Sequence, residues 1–117
     1  MKCIIAGGRS YIPTPDDKEL VIEILSHYHI TKIVSGNSGA SDLFGEKLAI
    51  ELKLKLMLFP ADWQRLGPKA GPLRNRQMAE YTDYAILFPG DKGTDSMRKE
   101  MNIHRKRILW DFGKDQL

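Results

Sequence analysis

Tyr84-Ala85-Ile86-Leu87-Phe88-Pro89-Gly90-Asp91-Lys92-Gly93-Thr94 is the stretch that decides the fold. The run Tyr84 to Leu87 is short and apolar, as a strand buried on both faces is. A glycine turn follows, then a helix start marked by the hydroxyl of Thr94. Glycine permits φ > 0 and close backbone approach, and the first-turn N–H groups of a helix have no internal partner, so strand, turn and helix together make a place for a phosphate. The same design stands at Ala6-Gly7-Gly8-Arg9-Ser10 and at Ser35-Gly36-Asn37-Ser38-Gly39-Ala40-Ser41-Asp42. Three such turns in one short chain argue for a nucleotide or another phosphorylated ligand.

Outward from these turns, short apolar runs alternate with longer helical periods. Strands are expected at Lys2 to Ala6, Lys32 to Ser35, Lys53 to Leu58, Asp83 to Phe88 and Arg107 to Trp110. The lysine–leucine alternation of Lys53-Leu54-Lys55-Leu56 marks the third as a half-exposed edge. Helices are expected from Pro15 to His29, capped by Thr14 with proline in the first position, and from Ala40 to Leu52, with Leu43, Phe44, Leu48 and Leu52 on one side. Two more run from Pro72 to Glu80 and from Thr94 to His104. Phe59 to Gly71, with two prolines and two glycines, reads as a long functional loop. Alternation of this kind predicts an α/β fold: one Rossmann-like three-layer domain over residues 1–110, about five parallel strands with helices on both faces, and a polar tail over 111–117. In such sheets ligands bind beyond the carboxyl ends of the strands, where strand order reverses. All three glycine turns and the long loop leave carboxyl ends, so they are expected to gather on one rim.

The 117 residues suffice for one core and no second. A hydrophobic fraction of 42% and a charged fraction of 28% are those of a folded globular chain, not a disordered one. No apolar run approaches the roughly 20 residues of a membrane helix. The opening Met1-Lys2-Cys3-Ile4-Ile5 reads as a strand rather than a signal peptide, and a single reduced cysteine suits a cytoplasmic setting. The basic run from Arg98-Lys99 to His104-Arg105-Lys106-Arg107 reads as a solvated helix face near a helix carboxyl end, not as a nucleic-acid surface.

Several side chains on the expected rim carry candidate chemistry. Arg9 offers a fork of donors to a phosphate or carboxylate, or else pairs with a neighbouring acid. Asp42 either complements the dipole of its helix or accepts hydrogen bonds from ribose hydroxyls, and Glu46 lies one turn on. Trp63 stacks on a base, closes the pocket as a lid, or plugs the edge of the core. Arg74, Asn75 and Arg76 fall in a first helical turn, where cations oppose the dipole unless an anion is near. The ligand-binding set expected is therefore Gly7, Gly8, Arg9, Ser35, Gly36, Gly39, Asp42, Trp63, Arg74, Asn75, Pro89, Gly90, Gly93 and Thr94. His27, His29 and His104 share no metal-ligand spacing, no serine sits in a nucleophile elbow, and no Walker lysine follows a glycine turn. No metal and no cofactor is expected.

Taken in order, Gly7-Gly8-Arg9-Ser10-Tyr11, Ser35-Gly36 with Gly39-Ala40-Ser41-Asp42, Phe59-Pro60-Ala61-Asp62-Trp63, Ala70-Gly71-Pro72-Leu73-Arg74-Asn75-Arg76-Gln77-Met78 and Phe88 to Thr94 resemble a known family. The chain looks like the small stand-alone SLOG proteins of the YspA-like kind, often encoded by phages or bacteria, from Met1 to about Trp110. That family belongs with the DprA-like and lonely-guy-like Rossmannoid proteins, which implies a nucleotide or nucleotide-derived ligand at the glycine rim. Arg74 and Met78, with Pro89, Gly90, Gly93 and Thr94, match the motifs of the lonely-guy enzymes, which cleave the N-glycosidic bond of nucleoside 5′-monophosphates. Asn75 stands in place of their lysine, Asp91 in place of a glycine, and Met97 in place of their catalytic glutamate. The resemblance therefore implies ligand binding first: sensing, carrying or sequestering. It implies second a phosphoribohydrolase with Asp95, Glu100 or Glu46 as its carboxylate, and third DprA-like binding of single strands through Arg98, Lys99, Arg105 and Arg107. Relatives often dimerise, so a homo-oligomer is expected, with Met97 and Met101 forming either an apolar contact between copies or part of the core.

Overall fold

Lys2–Ala6 (β1) is the apolar centre around which the rest assembles; Cys3, Ile4 and Ile5 within it are wholly buried. In the computed structural model, which describes residues 1–114, β1 lies between Lys32–Ser35 (β2) and Tyr84–Leu87 (β4). Lys55–Leu58 (β3) and Arg107–Asp111 (β5) complete a five-stranded sheet in the order β3-β2-β1-β4-β5. All four pairings are parallel. The sheet is covered on both faces. Val21 and Leu25 of Pro15–His27 (α1) and Leu48 and Ala49 of Ala40–Glu51 (α2) pack with Cys3, Ile5, Ile33, Ile86 and Phe88. On the opposite face, Met78 and Ala79 of Ala70–Tyr81 (α4) and Met97 and Met101 of Lys92–Ile103 (α5) pack with Ile4, Val34, Ala85 and Leu87. The architecture is the three-layer α/β fold the alternation predicts, and the strand order reverses between β1 and β4.

Met97 and Met101 are thus core residues, not a contact between copies. Leu43, expected on the apolar side of α2, is exposed, and the helix instead approaches the sheet through Gly45, where an added Cβ would stand 2.9 Å from Cβ of Ile5. Among the described residues, no helix is long and apolar enough to cross a membrane.

The expected boundaries shift for identifiable reasons. Three helices stop at non-glycine residues in left-handed conformation: His29 (φ 54), Lys53 (φ 57) and Arg105 (φ 54). Each is followed by an N–H that reaches back to the last turn, Ile30 to Leu25 O, Leu54 to Ala49 O and Lys106 to Met101 O, which is the Schellman pattern. With no glycine to mark the stop, α1 reads two residues too long and β3 two too early. Phe59 to Gly71 is not irregular throughout. Asp62 accepts the Arg65 N–H at 3.2 Å and caps the single turn Trp63–Leu66 (α3), a 3-10 turn follows at Gly67–Lys69, and α4 begins at Ala70. Pro72 sits third in α4, where its missing N–H leaves nothing unpaired. Finally, the tail expected from residue 111 is ordered at its start. Asp111 ends β5 buried, its carboxylate taking both Nε and Nη2 of Arg98 at 2.7 and 3.0 Å, and Phe112 stacks on Phe88. Residues 115–117 of that tail lie outside the described residues.

An L side chain in the left-handed region costs about 1–2 kcal/mol, offset in part by the greater freedom glycine has in the unfolded chain. His29→Gly, Lys53→Gly and Arg105→Gly are each expected to raise stability by about 0.5–1 kcal/mol in urea denaturation with an unchanged m-value. A loss of stability at these positions would show that their side chains contribute more than the backbone strain costs.

Candidate functional site

The loop after β1 and the loop after β4 meet at the carboxyl edge of the sheet, on either side of the strand reversal. The Gly8 N–H donates to Pro89 O at 2.9 Å, and a Cβ on Gly8 would lie 2.7 Å from that same oxygen. The loop after β2 joins them: the Ala40 N–H donates to Arg9 O and the Ser41 hydroxyl to Gly8 O, both at 2.9 Å. Between these loops and the amino ends of α4 and α5 opens a cleft of about 400 Å³. Its position is the one parallel α/β sheets use for ligands.

Nine of the fourteen residues expected at the site line this cleft: Gly7, Arg9, Gly36, Asp42, Trp63, Arg74, Asn75, Gly93 and Thr94. The other five, Gly8, Ser35, Gly39, Pro89 and Gly90, stand behind it and hold its walls. Ser35 is fully buried, gives its hydroxyl to Glu46 at 2.7 Å and accepts the Asn37 N–H. Gly39, at φ 125, lets the start of α2 lie against Arg9. Gly90 makes room for the Thr94 side chain and the Gly8 N–H, so the turn at 89–90 is packed against its neighbours.

Arg74 and Asp42 form the polar interior. Arg74, 9% exposed, donates through Nη1 to Gly36 O at 2.6 Å and Phe59 O at 3.3 Å, and through Nε to Asn75 Oδ1 at 2.9 Å. Its charge is held by neutral oxygens rather than cancelled by a bonded carboxylate. The guanidinium lies directly over Gly36, where a Cβ would meet Nη1 at 2.5 Å and Asp42 Oδ2 at 3.2 Å, so alanine there would crowd both groups. Asn75 continues the link to α5, its amide donating to Gly93 O at 3.3 Å and Ser96 Oγ at 3.2 Å. Asn75 is therefore the side chain of α4 that holds the amino end of α5, while Arg74 faces the loop after β2. Burial lowers the Arg74 pKa and the nearby Arg9 lowers it further, against the opposing effect of Asp42.

Asp42 is 6% exposed and accepts the Ser38 N–H at 2.9 Å and the Ser38 hydroxyl at 3.2 Å, both on Oδ2. Burial raises its pKa above the ordinary aspartate value, although the Ser38 bonds and Arg74 act the other way. At the far wall, Asp91 caps α5 by accepting the Gly93 N–H at 3.2 Å. A carboxylate oxygen thus already rests on a first-turn N–H of the kind a phosphate would use.

Ser38, Asp91, Lys92 and Ser96 also line the cleft and were not expected there, nor were Met78 and Met97 of its apolar floor. A helical period carried on from Arg74 to Met78 and from Gly93 to Ser96 and Met97 points to the last three. The carboxylates expected to replace the missing glutamate lie elsewhere. Asp95 is exposed and paired with Arg98 at 2.7 Å, Glu46 is bound to Ser35, and Glu100 does not line the cleft. The basic run is divided: Arg98 is committed to Asp111, and Arg107 lies over Tyr28 at the amino end of β5, away from the rim. Among the described residues no group of three His, Cys, Asp or Glu side chains is gathered to hold a metal. No protein-family model, curated protein or solved structure matches the chain.

A carboxylate with a raised native pKa binds its proton more tightly folded than unfolded, so stability falls as pH rises from about 4 through the native value. Asp42→Asn removes that burden and keeps an oxygen for Ser38. It is expected to stabilise the protein at pH 7, with the gain shrinking as the pH approaches 4 and Asp42 itself becomes neutral. Paired urea titrations at the two pH values check this, and equal or lower stability of the variant at pH 7 would contradict it.

Proposed function

We propose that this protein binds a nucleotide or a nucleotide-derived phosphorylated ligand in the cleft, as a stand-alone SLOG protein of the YspA-like kind that senses, carries or sequesters it. One observation carries the reading: a buried guanidinium bonded to no carboxylate and the amino end of α5 line the same cleft, at the carboxyl edge where strand order reverses. The first-turn N–H groups around Gly93 and Thr94, with Lys92, hold the phosphate, and Arg74 supplies the deeper positive charge. Asp42, anchored by one oxygen, offers the other to sugar hydroxyls. Binding is favoured over N-glycosidic hydrolysis because Met97, buried in the floor, stands where that chemistry needs a carboxylate, and Asp95, Glu100 and Glu46 do not line the cleft.

Calorimetry against nucleoside 5′-monophosphates, ADP-ribose and cyclic nucleotides tests the proposal. At least one is expected to bind, and Arg74→Ala to weaken it tenfold or more. Arg74→Ala also removes buried hydrogen bonds, so a second variant separates binding from folding. Asp91→Asn keeps a helix cap and removes a like charge from the anion's place, and it is expected to tighten binding several-fold without loss of stability. Absence of heat with every ligand, or an Asp91→Asn variant that binds more weakly, would overturn the reading.

A further inference from the structure

The mouth of the cleft has two lips from distant parts of the chain, and they carry Arg9 and Trp63. Arg9 follows β1. Its backbone is fixed by the bond from the Ala40 N–H and by Gly39 packed against its Cα, but the residue is exposed and no carboxylate pairs with it among the described residues. Trp63 follows β3. The capping bond of Asp62 sets the start of its turn, and its indole edge rests on Gly71, where a Cβ would stand 2.9 Å from Cη2. Yet 45% of Trp63 is exposed. A large apolar ring has been placed, supported from behind and left uncovered in front.

The Arg9 guanidinium stands 6.0 Å from the centre of that ring. This is the outer limit of a direct cation–π contact. A planar group inserted between the two needs two contact layers of roughly 3.5 Å each, about 7 Å in all. Rotation of the exposed Arg9 side chain supplies the difference. A guanidinium plane and an indole plane both stack on aromatic rings, and neither demands a particular base edge.

We infer that Arg9 and Trp63 form a base clamp, so the ligand class is a phosphate joined to a planar nitrogen heterocycle, with sugar phosphates that lack a base discriminated against. This rests on the nucleotide reading above and adds the subsite that sets its specificity. The aromatic surface of Trp63 is what distinguishes adenosine 5′-monophosphate from ribose 5-phosphate, because both present the same phosphate and ribose to the interior.

Adenosine and guanosine 5′-monophosphates, ribose 5-phosphate and inorganic phosphate are titrated by calorimetry into the full chain and into Trp63→Ala and Trp63→Phe. The nucleotides are expected to bind about tenfold or more tightly than ribose 5-phosphate and to quench tryptophan fluorescence. In Trp63→Ala the nucleotide-to-sugar-phosphate ratio falls towards one and the quench is lost, whereas Trp63→Phe keeps most of the ratio. If ribose 5-phosphate binds as well as the nucleotides do in the unsubstituted protein, the clamp is wrong and the phosphate site stands. If the ratio survives in Trp63→Ala, the clamp is likewise overturned. If none of the four probes binds, the clamp is overturned, and the phosphate reading then fails too unless ADP-ribose or a cyclic nucleotide binds in the titrations above.

Discussion

The bond from the Gly8 N–H to Pro89 O is the constraint on which the rest of the rim depends. β1 and β4 are neighbours in the sheet, but the chain leaves them towards opposite faces, to α1 on one side and, after β4, to α5 on the other. Their loops would diverge were they not joined backbone to backbone just above the strands. Glycine at 8 and at 90 is required by that junction, because a Cβ at either would enter the opposing loop or the Thr94 side chain. The cleft opens next to this junction. Its walls are thus built on backbone that this junction restrains, which under the proposed function leaves little ordering for a ligand to impose.

Within that frame the polar interior buries two opposite charges near each other without a direct bond between them. Arg74 is satisfied by two backbone carbonyls and Asn75, and Asp42 by Ser38. A direct ion pair between them would have satisfied both and closed the space over Gly36. Instead each is tied to a neutral partner beside the cleft, an arrangement that costs stability and leaves both charges to interact with whatever enters.

The strands and the layer order were legible because Ile4-Ile5, Ile33-Val34 and Ala85-Ile86-Leu87 are apolar runs between turn signals, which is what doubly covered parallel strands require. Helix ends at His29, Lys53 and Arg105 were not, because their stop is a backbone conformation that the side chains do not advertise. α3 was hidden by its length, since a single capped turn shows no period. At the site, glycine marked loops that border the cleft but not what each glycine does there. A glycine that clears space for a buried side chain, as Gly36 does for the Arg74 guanidinium, one that leaves the cleft open, as Gly93 does, and one that clears space for another loop, as Gly8 and Gly39 do, look alike in sequence. Arg74 was singled out as a cation in a first helical turn, but α4 begins at Ala70 and places Arg74 in the second turn, so that reason does not apply to it. Its partners Gly36 and Phe59 could be known only from the fold, because they lie 38 and 15 residues away.

Backbone amide shifts of isotope-labelled protein, followed as inorganic phosphate is added, test the central claim most directly. The account predicts a saturable set of shifts confined to the rim, with Gly93 and Thr94 moving together with Gly7 and Gly36 at one common midpoint. Shifts absent at these amides, or gathered at the amino ends of the strands near Lys2, Lys32 and Arg107, would contradict it.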